Sequence, residues 1–195
     1  MYEGRIDPFD VLRELSTIGA GNASGAISKL VGKKVSITVP DAYWIKVGEL
    51  SQTPWITKSI VNIGVGIYGD RSGHVFLLLE KRDSLELVKL LMNLDIKEIG
   101  DLEISALMEV GNILTGTFIG ALSRFLDIKI VESTPFLRVA PTQAVINDVV
   151  GKRSPDGEIW LAVIRFEVEG GAPKGRILFI PLFNFGRDAI EKLKK

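Results

Sequence analysis

The sequence predicts an α+β fold made of a duplicated helix–strands–helix unit, with two long helices on an antiparallel sheet. The first observation is a repeat, in which ELSTIGAGNASGAISKLVGKKVSITVP (14–40) aligns without gaps with EVGNILTGTFIGALSRFLDIKIVESTP (109–135), 95 positions later. The second is that both segments have helical apolar periodicity and precede apolar runs typical of strands. We therefore expect one domain over 1–195, with halves at 7–95 and 101–195 related by a pseudo-two-fold axis.

The repeat preserves residue identity and helical spacing together. The identical pairs are Glu14/Glu109, Ile18/Ile113, Gly21/Gly116, Gly25/Gly120, Ala26/Ala121, Ser28/Ser123, Lys34/Lys129 and Pro40/Pro135. Chance identity would not usually also keep the apolar positions at the same helical spacing, so we interpret the pattern as a duplication.

Each half has the same predicted order of elements. Asp7-Pro8 and Asp101 are placed to begin the two long helices, because aspartate accepts hydrogen bonds from the free N–H groups of a first turn. Strands are predicted at 43–50, 59–68, 74–80, 136–140, 158–169 and 175–181, and closing helices at about 83–94 and 185–194. Segment 140–151 has no clear counterpart in the first half, and Thr142 is placed to cap a short helix there.

Composition excludes several classes of site. The chain has 195 residues, 24 basic and 24 acidic side chains, no cysteine and one histidine, His74, which we expect near the surface. Disulfides, thiolate metal sites, a cysteine nucleophile and a histidine-based triad are excluded, and no basic patch indicates nucleic acid. The charged first residues and the lack of a long uncharged apolar run predict no signal peptide, no membrane span and a cytoplasmic location.

One face of each long helix carries an unusual polar stripe. At helical spacing, Ser105, Glu109 and Asn112 form a row on the side opposite the apolar face, with Gly116 one turn further on. Asparagine and glycine are poor residues for a helix interior. The glycines indicate either close packing against a neighbouring element or a low surface that another protein's backbone can approach.

The pattern Ser105-x3-Glu109-x2-Asn112-x22-Pro135 resembles the signature of the CheC, CheX and FliY chemotaxis phosphatases. In that family the signature is Asp or Ser, then Glu, Asn and Pro at these spacings. The surrounding text, SALMEVGNILTGTFIGALSRFL, is most similar to CheC. The resemblance extends over essentially the whole chain and implies a CheC-like fold.

The resemblance implies a phosphatase acting on the aspartyl phosphate of a response regulator, CheY-P. Asn112 would orient the attacking water, Glu109 would pair with a lysine of the regulator, Ser105 would support the helix start or the contact, and Pro135 would stiffen the adjoining loop. The regulator would hold the Mg²⁺, so this chain is expected to bind no cofactor and no metal. A carboxamide suits the role, because it can both donate to and accept from a water.

The first half departs from the signature. Asp10, Glu14 and Pro40 are present, but Thr17 stands where Asn is expected. Its shorter, β-branched side chain cannot reach as a carboxamide does, so we predict a weak or inactive second site that can still dock a partner through Glu14. The nearby Asn22 is predicted to lie on the core side, bonded to backbone.

Two alternatives remain open. The chain could be a non-catalytic interaction protein like the middle domain of the flagellar switch protein FliM, which resembles this fold but lacks the Glu–Asn pair. The length leaves no room for the extra modules of FliY or FliM, which disfavours both. It could also be an adaptor for CheD, the receptor deamidase that partners CheC proteins, with segment 140–151 as the contact. The adaptor and enzyme roles can coexist.

Overall fold

Two stretches of chain with the same order of elements build the sheet and its helices. The computed structural model describes residues 7–38, 40–52, 56–150 and 157–182. In chain order the elements are α1 (Pro8–Val31), β1 (Val35–Ile37), β2 (Asp41–Lys46), a 3-10 helix (Val47–Gln52), β3 (Ser59–Gly69), β4 (Ser72–Leu79), α2 (Lys81–Met92), α3 (Asp101–Leu126), β5 (Ile130–Glu132), β6 (Phe136–Pro141), α4 (Thr142–Val150), β7 (Glu158–Val168) and β8 (Lys174–Leu182). Strands β1 and β2 precede β5 and β6 by 95 residues, the same offset that separates the two repeat segments.

The strands form one antiparallel sheet in which the two halves exchange strands. Its order is β1-β7-β8-β4-β3-β5, with β2 also paired to β7 and β6 also paired to β3. The short strands of each half thus pair with a long strand of the other half. At the centre β4 pairs with β8, and Val75 lies opposite Phe179. The predicted α+β class with an antiparallel sheet is confirmed.

The two long helices pack against each other on one face of the sheet. Glycine permits close approach at two positions, between the helices at Gly19 and between α3 and the sheet at Gly111. A Cβ on Gly19 would lie 2.7 Å from the ring of Phe118, and one on Gly111 would overlap Cγ2 of Ile63 on β3. The close-packing interpretation of the helix glycines is therefore confirmed at Gly19 and Gly111.

The helix starts agree with the predicted caps in one case and differ in the other. Asp7 Oδ1 accepts a hydrogen bond of 2.9 Å from the N–H of Phe9, as expected. Asp101 is the first residue of α3 rather than its cap, which is Gly100. The N–H of Gly100 donates to Glu103 Oε2 at 2.9 Å, so a later carboxylate satisfies the backbone there.

The ends of α1 and α3 are built alike, which explains part of the repeat. Gly32 and the equivalent Asp127 both adopt the left-handed conformation, with φ of 65° and 56°. The repeated serines tie each helix end to the chain that leads into the next strand. The Ser28 hydroxyl accepts from the N–H of Val35 at 3.0 Å, and the Ser123 hydroxyl donates to the carbonyl of Ile128 at 2.6 Å.

A second apolar cluster covers the opposite face of the sheet, where α4 packs against the 3-10 helix. This corrects the view that segment 140–151 lacks a counterpart, since the 3-10 helix follows β2 as α4 follows β6. VGELSQ and TQAVIN share no identical position, which hid the equivalence. The short helix predicted here is confirmed, but Thr142 is its first residue and its buried hydroxyl donates to Asn62 Oδ1 at 2.7 Å instead of capping the helix.

The remaining helices complete the comparison with the sequence. Helix α2 begins at Lys81, slightly earlier than predicted, and the buried Asp83 accepts from the N–H of Lys174 at 2.9 Å. The helix predicted over 185–194 lies outside the described residues. Within the described ranges, α3 is long and apolar enough to cross a membrane by length and composition, which the sequence analysis had not expected. Its apolar side is buried in the core against α1 and the sheet, the pattern of a core helix.

Candidate functional site

The predicted row of polar side chains lies on the solvent side of α3. Ser105, Glu109 and Asn112 are all exposed, while Leu107 and Val110 between them are buried. Spacings of four and three residues keep the row on one face, because a helix turns once every 3.6 residues. A carboxylate and a carboxamide therefore stand one turn apart on a helix that the core holds in place.

The carboxamide of Asn112 makes no hydrogen bond to the described part of the chain. Other polar side chains on the two helices behave differently: Asn22 donates to the carbonyl of Ile18 at 2.9 Å, Thr17 to that of Arg13 at 2.8 Å, and Ser105 to that of Asp101 at 2.9 Å. Side-chain bonds to the preceding turn are common for such residues. Asn112 lacks one, so both its donor and its acceptor are available to a water or a partner.

The first-half stripe has the same exposure but different chemistry. Asp10, Glu14 and Thr17 are exposed, Pro40 is buried, and Asp10 forms an ion pair of 3.0 Å with Arg13. The Thr17 hydroxyl is occupied by the backbone of its own helix. Where α3 offers an unbonded carboxamide, α1 therefore offers none at the equivalent position.

Asn22 lies where the prediction did not place it. The helical pattern predicted the core side for this residue, but the structure leaves it exposed. The buried arc of α1 is narrower than its apolar pattern indicates, because Ile18 and Ala26 are only half-buried. The hydrogen bond from its side-chain amide to the backbone was predicted correctly.

The loop that carries Pro135 is tied to the sheet beside α3. It joins β5 to β6, and α3 packs against both strands. The N–H of Ser133 donates to the Gly66 carbonyl at 2.9 Å, and the Gly66 N–H donates to the Ser133 hydroxyl at 2.9 Å. Pro135 itself is half-buried. These two bonds hold the loop in place, and Pro135 restricts its backbone further.

Sequence reasoning missed one carboxylate near the row. Glu132 on β5 is half-buried, and a Cβ built on Gly116 would lie 3.7 Å from both of its carboxylate oxygens. Burial raises the pKa of Glu132 above its usual value. The signal in the sequence is a mismatch within the repeat, since the equivalent position is Ile37.

The described residues contain no cluster of three or more His, Asp or Glu side chains suited to a metal ion. His74 is only 5% exposed within β4, which corrects its expected surface position. β4 lies in the middle of the sheet, where both flanking strands cover it.

The CheC-like family model matches residues 102–138, the segment that runs from the start of α3 through Pro135. Among curated proteins, the CheY-P phosphatase CheC of Bacillus subtilis (strain 168) is 28% identical over 158 residues, covering 78% of this chain and 76% of that protein. The flagellar motor switch phosphatase FliY of the same strain is 26% identical over 189 residues, covering 94% of this chain. The chain spans 48% of the length of that FliY.

A solved structure gives the same result for the fold. The X-ray structure of Thermotoga maritima FliY matches with a TM-score of 0.76 at 20% identity, covering 98% of each chain. In its fold, and in the segment that carries the exposed Glu–Asn pair, the chain is similar to CheC-like proteins. The resemblance to the CheC, CheX and FliY family, which the signature predicted, is confirmed.

Proposed function

We propose that this chain hydrolyses the aspartyl phosphate of a CheY-type response regulator in the cytoplasm. The observation that carries the proposal is the exposed, unbonded carboxamide of Asn112, one turn from the exposed carboxylate of Glu109. The curated relatives whose printed names are CheY-P phosphatase and flagellar motor switch phosphatase support the same activity.

The reaction needs little from this chain beyond placement. A water oxygen attacks phosphorus in line, the bond from phosphorus to the aspartyl oxygen breaks, and inorganic phosphate and a free aspartate carboxylate result. Phosphoryl transfer of this kind is catalysed mainly by positioning and electrostatic support. In the proposal Asn112 accepts a hydrogen bond from the water and donates one to the phosphoryl group. Mg²⁺ on the regulator would balance the phosphoryl charge.

Glu109 has the docking role in this proposal. Its side chain is exposed and makes no hydrogen bond or ion pair with the described residues, so a lysine of the regulator can reach it. A charged pair that becomes buried at an interface orients the partners and contributes more than an exposed one. Ser105 and Pro135 then act indirectly, through the start of α3 and the loop beside it.

The direct test is phosphate release from the phosphorylated cognate regulator. Asn112→Ala should lower the stimulated rate by about 100-fold or more, because a misplaced water loses most of the benefit of positioning. The matched control is Asn22→Ala, which removes an exposed asparagine from α1 whose amide bonds its own helix. Full activity in Asn112→Ala, with the fold intact, would show that the site is assigned wrongly.

A second measurement separates docking from chemistry. Glu109→Gln should raise KM by about tenfold or more with a smaller effect on kcat, since it removes a charged hydrogen bond made on binding. Helix α4, which makes up most of segment 140–151, lies on the other face of the sheet from α3, and there we place a CheD contact. Assays with and without CheD test that adaptor role alongside the enzyme.

A further inference from the structure

The position of Glu132 is unusual for a carboxylate whose only role is to stabilise the fold. It ends β5, a strand at the edge of the sheet, on the same face as Ile130, whose side chain packs against the helix-side core. Its side chain is thus directed toward α3. No hydrogen bond or ion pair joins it to another described residue. Burial raises the pKa of this carboxyl, which reflects the cost of taking its charge out of water.

The bare backbone at Gly116 brings Glu132 close to the candidate site. Gly116 lies one turn beyond Asn112 and is half-exposed. An added Cβ would stand 3.7 Å from both carboxylate oxygens, so a side chain here would lie in contact with the carboxylate and screen it. The glycine leaves the space above Glu132 open on the same face as Asn112.

The duplicated half shows that the fold does not need this carboxylate. Ile37 occupies the equivalent position on β1 and packs against the core, while Gly21 occupies the position of Gly116 with nothing within 4 Å of an added Cβ. Along the two stripes, the half that lacks the carboxamide also lacks the carboxylate. An isoleucine would spare the cost of a half-buried charge without a partner.

We propose that Glu132 is a second docking carboxylate, which receives a lysine or arginine side chain of the response regulator through the opening at Gly116. The inference rests on the proposed phosphatase function and adds a recognition residue to that site. The incoming cation would supply the partner that the described residues do not, and bonds between charged groups in a partly desolvated setting are strong. Glu109 and Glu132 would then contact the regulator on two sides of Asn112, fixing its orientation.

The test compares steady-state kinetics and binding in four proteins: the full chain, Glu132→Gln, Gly116→Ala and the control Glu49→Gln. Glu49 is an exposed carboxylate on the 3-10 helix, on the other face of the sheet. The probes are the phosphorylated CheY-type regulator from the same genome and its beryllofluoride-activated form. Glu132→Gln should raise KM and Kd by about tenfold with kcat within about twofold, and Gly116→Ala should weaken binding less. The control should match the unmodified chain.

The outcomes separate this inference from the function beneath it. If the unmodified chain neither binds nor dephosphorylates the regulator, the proposed function fails and the docking role fails with it. If the unmodified chain is active and Glu132→Gln is indistinguishable from it, the docking role is wrong while the phosphatase stands. A lower kcat at unchanged KM would also overturn it, since Glu132 would then act on the reaction. A merely structural residue would change stability without the rise in Kd.

Discussion

The packing of α3 on the sheet can be tested by replacing two glycines that look equivalent in the sequence. Gly111 and Gly21 both lie inside long helices, where replacing glycine by alanine gains about 1 kcal/mol of helix propensity. Their surroundings differ. A Cβ at Gly111 would overlap Cγ2 of Ile63, whereas a Cβ at Gly21 would meet nothing within 4 Å.

The overlap that a Cβ at Gly111 would create cannot be relieved at a small cost in free energy. The Cγ2 of Ile63 is bonded to the β-carbon of a stiff, β-branched side chain that is 1% exposed, so it has nowhere to rotate. Either the strand or the helix must move, and overpacking of this kind typically costs about 1–3 kcal/mol. The propensity gain is common to both variants, so Gly111→Ala should be less stable than Gly21→Ala by about 1–3 kcal/mol.

Urea unfolding followed by far-ultraviolet circular dichroism measures this difference, with the slope checked for two-state behaviour. Gly21→Ala should be more stable than the unmodified chain, and Gly111→Ala should be at best equal to it. Gly111→Ala should also lower the proposed phosphatase activity, because the displaced helix carries the neighbouring Asn112. Equal stabilisation by the two substitutions would refute the account of how α3 sits on β3.

Three further predictions follow from individual residues. Thr17→Asn combined with Ile37→Glu should raise the rate of phosphate release toward that of two working sites, and no increase would show that the α1 stripe lacks more than these two groups. Because burial raises the pKa of Glu132, the folded chain binds that proton more tightly than the unfolded chain, so Glu132→Gln should raise the free energy of unfolding at neutral pH; the gain should vanish well below pH 4.5, where both states are protonated. Thr142→Val should cost about 1–3 kcal/mol in urea unfolding, since it leaves the buried Oδ1 of Asn62 without its donor, and an unchanged midpoint would contradict that hydrogen bond's importance.

The long helices and the exposed row were predictable because both depend on local periodicity. The order of the strands in the sheet was not, because an apolar run shows that a segment forms a strand without showing its partner. In this chain the partners are non-local: β1 and β2 pair with β7 of the other half. The equivalence of α4 and the 3-10 helix could not be predicted either. The two segments occupy equivalent positions in the fold, but their sequences share no identical residue.

At the candidate site, Glu132 is likewise a residue whose importance could not be predicted from local sequence. Nothing in its local sequence separates it from an ordinary exposed glutamate on a short strand. It becomes notable only because β5 pairs with β3, and α3 packs on both strands. That pairing brings the end of β5 under the turn at Gly116. Spacing within the helix could therefore predict Glu109 and Asn112 together, but not a group that reaches the row from the sheet.

Positions that are kept in both halves have a different physical role from positions that differ between the halves. Gly32 and Asp127, and the serines before them, close the helices in both halves, so identity or conformation is kept where backbone geometry requires it. The halves diverge at Thr17 against Asn112 and at Ile37 against Glu132, where neither packing nor backbone geometry requires a difference. The half with the exposed carboxamide also has a half-buried carboxylate that no described cation pairs with, and this carboxylate costs stability relative to the isoleucine of the other half. Both groups lie in the same half of a duplicated fold, as expected if only that half carries a working docking surface.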